Sequence, residues 1–174
     1  ALICAGLALA IVVGAKERGG RPLSAGATRL TSLQSNRYAY WRVALRAFGD
    51  EPLRGVGAGG WAVYWLRYRP FNEFAQDAHS LPLQTAAELG LIGLGLLALF
   101  VGGVTVAALD AHRSWPVFAA GPISALVVYV VHAPLDWDWQ MPAVTAIAMV
   151  LAGTLIGLSE PAVRAPRRSA EPLA

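Results

Sequence analysis

Residues 89–109 read LGLIGLGLLALFVGGVTVAAL, twenty-one residues without a single charge. A helix needs about 20 mostly apolar residues to cross the roughly 30 Å hydrocarbon core of a bilayer, and this stretch has that length. Two segments downstream repeat the pattern. Residues 116–135 (PVFAAGPISALVVYVVHAPL) carry only His132 near one end, and residues 141–158 (MPAVTAIAMVLAGTLIGL) are uncharged. The glycines and prolines inside them are compatible with a bilayer, where neighbouring helices re-satisfy the freed backbone groups. Residues 1–15 (ALICAGLALAIVVGA) are apolar from the start, without the basic n-region and small-residue cleavage site that bound a signal peptide. They read as the end of a transmembrane helix that starts upstream, and the chain as a C-terminal portion. The expected fold is an all-α polytopic membrane protein.

Composition agrees. Hydrophobic residues make up 56% of the chain and charged ones 14%, against about half and about a quarter in soluble domains. Disorder, collagen and coiled coil are excluded, and Cys4, the single cysteine, cannot bridge within the chain. The net charge of +3 does not point to nucleic acid, because the basic residues gather in one place. Residues 16–88 form a polar loop with 10 of the 14 Lys and Arg against 6 Asp and Glu, net +4. Loops this long are uncommon unless functional, and helix is expected inside it. Arg113 in the 110–115 turn and Arg164, Arg167 and Arg168 in a disordered 159–174 tail argue for cytoplasm there. The long loop and the 136–140 turn would then lie outside. Lys16, Arg18 and Arg21 oppose this, but long loops weigh little in the positive-inside rule.

Three stretches hold the candidate chemistry. In Arg37-Tyr-Ala-Tyr-Trp41-Arg-Val-Ala-Leu-Arg46, Trp41, Leu45 and Phe48 recur at helical spacing, with Arg37 on their face and Arg42 and Arg46 on another. Arg42 and Arg46 suit lipid headgroups. A cation on a buried face needs an anionic partner, and for Arg37 a phosphate would fit its fixed fork of donors. Gly55-Val-Gly57-Ala-Gly59-Gly60 formally matches GxGxxG, with Asp77 at a suitable distance. No apolar strand precedes it and no clear helix opening follows, so a tight glycine turn is the reading and a dinucleotide site is rejected. His79 lies about ten residues before an uncharged span, as a solvated flank or a general base. For Glu88 a structural role is favoured. The stretch His132-Ala-Pro-Leu-Asp136-Trp137-Asp138-Trp139 offers interfacial tryptophan anchors, or carboxylates and indoles that hold a sugar. Nothing there completes a metal shell, and the chain has no nucleophile elbow, zinc spacing or P-loop.

These stretches resemble the bacterial O-antigen ligase and Wzy-type polymerase superfamily. Arg37-x3-Trp41-x2-Ala-Leu followed by Pro52-Leu-x-Gly55-Val-Gly57-x-Gly59 is similar to one family pattern. His79-Ser-x3-Gln84-x3-Glu88-x-Gly90-x2-Gly93 is similar to another, and the Asp-Trp-Asp-Trp stretch after His132 to actinobacterial-type members. The resemblance implies a GT-C-like helical bundle with one large extracytoplasmic loop. Its activity would move a glycan from an undecaprenyl-pyrophosphate carrier to an acceptor hydroxyl, a glycan or lipid, at the outer face of the bacterial cytoplasmic membrane. Neither metal nor cofactor is implied. By the same resemblance His79 activates the acceptor and Arg37 stabilises the departing pyrophosphate, while the family's second arginine has no clear match here. Trp41, Arg67, Arg69, Asp136, Trp137 and Asp138 are the candidate substrate-binding residues. The alternatives are a transporter or flippase module and a non-enzymatic membrane scaffold. Transporters place ionisable groups within their spans, and these spans are nearly bare.

Overall fold

The computed structural model describes residues 36–160; the expected first span, the basic residues up to Arg29 and the 161–174 stretch lie outside the described residues. Within them the chain is helical, with no strand: α1 is Arg37–Asp50, α2 Gly60–Tyr68, α3 Leu81–Ser114, α4 Pro116–His132 and α5 Pro142–Ser159, with a single 3-10 turn at Asp138–Gln140. Two helices, α3 and α5, are long and apolar enough to cross a membrane. The third apolar helix, α4, has 17 residues, shorter than the 116–135 stretch because residues 133–135 turn away after His132. The first, α3, runs past the uncharged stretch at both ends. Trp115 alone separates it from α4, so the expected 110–115 turn is mostly helix.

The apolar surface of these helices is turned outward: Leu99 is 73% exposed and Val117 84%. Where α3, α4 and α5 meet one another the contacts are small, through Ala111, Ala119, Ala148 and Ala152 beside Leu126 and Leu155. Small residues at the helix contacts, with large apolar side chains turned outward, are the pattern that helices in lipid use.

A second core lies in the loop. Trp61 and Trp65, one turn apart on α2, stack with their rings 5.8 Å apart and 7° from parallel, both fully buried. Tyr40 meets both edge-on, at 6.0 and 4.8 Å, in the geometry that aromatic quadrupoles favour. Consequently α1 buries Tyr40, Val43, Ala44 and Ala47. The expected Trp41/Leu45/Phe48 face is not the packed one; Leu45 is 37% exposed. The small side chains of Ala44 and Ala47 let α1 approach the tryptophan pair, which the bulkier face would hold off.

The glycine turn is indeed a turn, but it does more than end α1, and a helix does follow it. Gly90 takes φ 62°, ψ −154° and breaks α3. A break frees N–H groups on one side and carbonyls on the other, and the 52–57 segment takes up both. Leu91 and Ile92 donate to the carbonyls of Pro52 and Leu53 at 2.8 and 3.3 Å, while Val56 and Gly57 donate to those of Ala87 and Glu88 at 2.9 and 3.0 Å. The backbones cross so closely that a Cβ on Gly55 would sit 2.3 Å from the Glu88 carbonyl carbon, and one on Gly90 2.5 Å from that of Leu53. This clasp fixes α1 and α2 to the top of α3.

Candidate functional site: a histidine–aspartate pair beside an arginine

The segment between α2 and α3 is short and polar, and its backbone is held at almost every step. Arg69 Nη1 and Trp65 Nε1 both donate to the Glu73 carbonyl, at 3.2 and 2.9 Å. The Glu73 carboxylate accepts from Asn36 Nδ2 at 2.7 Å and from the Tyr40 hydroxyl at 3.0 Å. Burial, with the bond to Glu73 behind it, pushes the Tyr40 phenol up to about 12, so it stays a neutral donor. Gln84 Oε1 accepts the Ala78 N–H at 2.7 Å and Gln84 Nε2 donates to Glu88 Oε1 at 2.7 Å. Glu88 also receives the Trp61 N–H at 3.4 Å, which gives it the structural role expected.

At the end of this segment His79 takes φ 52°, a conformation uncommon for any residue with a side chain. Such outliers persist only where surroundings over-determine them, and they cluster at functional sites. Asp77 does most of the holding. Its Oδ1 accepts the His79 backbone N–H at 3.0 Å and lies 2.8 Å from His79 Nδ1. The hydrogen bond to Asp77 raises the imidazole pKa above 6.5, while burial and the charge of Arg37 pull against it. Burial pushes the Asp77 carboxyl up, but its bonds to His79 outweigh this and hold it below the usual carboxylate range. With Nδ1 tied to a carboxylate, Nε2 is the nitrogen left to exchange a proton. One face of the ring rests on Tyr40, centroids 5.1 Å apart.

Arg37, the first residue of α1, reaches the turn after α4. Nη1 donates to the Leu135 carbonyl at 2.8 Å and Nη2 to Asp136 Oδ2 at 2.7 Å. The same turn is joined to α3 by the bond from Leu81 N–H to the Ala133 carbonyl, 2.9 Å. One small region thus gathers the start of α1, the start of α3 and the end of α4.

The structure brings together three of the candidate residues, His79, Arg37 and Asp136, and separates the rest. Asp138 lies 2.6 Å from His132 Nδ1 at the mouth of an apolar cleft of about 210 Å³ between α4 and α5. Trp137 is 45% exposed. Trp41 packs edge-on against Tyr38 at 5.5 Å. Arg67 lies against the ring of Tyr68, and Arg69 braces the Glu73 carbonyl. Arg37 does not sit on a buried face, its side chain being 40% exposed, and an anionic partner lies within the chain, Asp136. Asp77 enters the sequence reading only as the acid of the rejected dinucleotide motif, although an Asp two residues ahead of a His signals a side-chain turn onto the backbone. Among the described residues no group of three or more His, Cys, Asp or Glu is placed to hold a metal ion.

The apolar, outward-facing α3, α4 and α5 are those of a membrane protein, and a His–Asp pair and an arginine lie together where α1, α3 and α4 meet. The chain matches the O-antigen ligase family over residues 1–98, more than half its length, and belongs to that family. The match takes in Arg37, the glycine clasp, His79, Gln84, Glu88 and Gly90, and stops before the His132–Trp139 stretch. No curated protein matches the chain. No solved structure matches it either.

Proposed function

We propose that this is a polytopic glycosyltransferase of the GT-C type in the bacterial cytoplasmic membrane, with the loop carrying α1 and α2 on the outer face. It moves a glycan from an undecaprenyl-pyrophosphate carrier to an acceptor hydroxyl during polysaccharide assembly. The observation that carries this reading is the Asp77–His79 pair, held in a strained backbone within reach of the charge of Arg37. His79 Nε2 takes the acceptor's hydroxyl proton as its oxygen bonds to the anomeric carbon. The bond from that carbon to the pyrophosphate oxygen breaks, and its electron pair leaves with the pyrophosphate. Asp77 keeps the ring in the required tautomer and stabilises the imidazolium. Arg37 meets the charge that develops on the leaving group, where a preorganised cation is most effective. Residues 16–88 carry the positive charge that suits an anionic carrier.

The test uses membranes containing the full-length protein, a lipid-linked glycan donor and an acceptor. The reading expects glycan on the acceptor and undecaprenyl pyrophosphate released in equal amount. Movement of intact donor between leaflets, with no release, would make the protein a flippase instead.

A further inference from the structure

Asp136 came into the account as a sugar ligand, but its surroundings assign it elsewhere. Both of its carboxylate oxygens are engaged: Oδ1 accepts the Trp137 N–H at 2.9 Å and Oδ2 receives Arg37 Nη2 at 2.7 Å. The turn that presents it is closed by the N–H groups of Leu135 and Asp136, which bond to the His132 carbonyl at 2.8 and 3.2 Å. The carboxylate is therefore a fixed object, about a fifth exposed, and the neighbouring Leu135 carbonyl fixes the second arm of the same guanidinium. A planar fork gripped at two nitrogens by two groups of one turn has little freedom to rotate.

We infer that Asp136 is a positioning residue for Arg37, orienting its guanidinium toward the pyrophosphate of the donor and balancing its charge beside His79. This rests on the proposed reading of Arg37. The charge-balancing half has a consequence at His79. That ring is faced by Asp77 from its own segment, by Arg37 and the neutral Tyr40 from α1, and beyond Arg37 by Asp136 from the turn after α4. Neutralising Asp136 removes a negative charge from beside Arg37, so the imidazolium is disfavoured and His79 titrates at lower pH.

Two readouts on the full-length protein in membranes test this with Asp136→Asn and Asp136→Glu. The first is the pH dependence of diethyl pyrocarbonate modification of His79, which reports neutral imidazole and is read from the His79 peptide by mass spectrometry. It needs no transfer activity. Asp136→Asn should move the midpoint down and Asp136→Glu should leave it in place. The second is steady-state transfer, in which Asp136→Asn should lower kcat by about 10²-fold, as a misplaced catalytic group does, with donor KM little changed and with partial recovery in Asp136→Glu. A raised donor KM at unchanged kcat would overturn the inference and return Asp136 to the sugar. A lowered KM would overturn it by making Asp136 a competitor of the pyrophosphate, and an unmoved midpoint would refute the charge balance. A midpoint moved by Asp136→Asn, together with a wild-type protein that transfers no glycan, would instead overturn the functional reading and leave the Arg37–Asp136 coupling standing.

Discussion

The chemistry at residue scale turns on how one histidine is poised. His79 is the base only when neutral, and Asp77 holds its pKa above 6.5. Transfer should therefore rise with pH along an acid limb centred above 6.5. Asp77→Asn removes the carboxylate, and the limb should move to lower pH with a reduced plateau, as measured in a pH–rate profile. Stability runs the opposite way. His79, raised above its unfolded value, contributes fully below pH 6.5 and loses that contribution as pH rises through its folded value. Asp77, held below the usual carboxylate range, loses its share as pH falls through its own folded value, so the pair stabilises most between the two. Arginine identity is the second residue-scale matter. Arg37→Lys keeps the charge but loses the fork that spans Leu135 and Asp136, and transfer should be badly impaired. Arg42 and Arg46 are exposed on another face of α1, Arg46 lying 3.9 Å over the Tyr68 ring. Their Lys variants should transfer at close to the wild-type rate, since each contributes only about 1 kcal/mol at an anionic surface. Equal losses at all three positions would mean that α1 does no more than adhere to the membrane. His79 and Arg37 stood out in the sequence as ionisable residues in ordered patterns. Asp136 stood out as a sugar ligand, but its pairing with Arg37 did not, because the two lie 99 residues apart and only the return of the chain after α4 brings them together.

Among the elements, the clasp between the glycine turn and the broken top of α3 decides whether the site forms. Gly55, Gly57 and Gly90 all take positive φ, but they differ in space. Gly57→Ala meets no atom and should cost about 1–2 kcal/mol of backbone strain. Gly55→Ala and Gly90→Ala meet opposing backbone at 2.3 and 2.5 Å, so each adds a clash and threatens the four hydrogen bonds between the two segments, each worth about 1 kcal/mol net. Thermal unfolding in detergent should rank Gly57→Ala well above the other two, and a reversed order would contradict the clasp. The glycine motif was legible as a turn, since glycine alone tolerates these angles. What it docks on was not, because the break at Gly90 lies at the head of an apolar run that reads as continuous. The same limit explains the misread face of α1. Trp41, Leu45 and Phe48 have the larger apolar volume, but periodicity does not say which face a partner selects, and the Trp61–Trp65 pair selects the alanines.

For the whole molecule, the apolar runs marked where α3, α4 and α5 lie, because a helix whose outward face is apolar needs no alternation of polar and apolar residues. Their ends were less legible, as charged residues such as Asp110 and Arg113 continue α3 to Ser114. Topology can be checked in a background with Cys4 replaced by Ser. Asn72→Cys in the loop should react with an impermeant thiol reagent in intact cells, and Ser114→Cys should react only after the membrane is opened; the reverse pattern would invert the proposed orientation. The central claim is that His79 activates the acceptor within this fold. Its most direct measurement is the rate of glycan transfer by His79→Ala at protein abundance equal to wild type. A loss of about 10²–10⁴-fold is expected, the range for a positioned general base, with abundance nearly unchanged. Full activity at equal abundance would contradict it and leave His79 a solvated residue at the membrane edge.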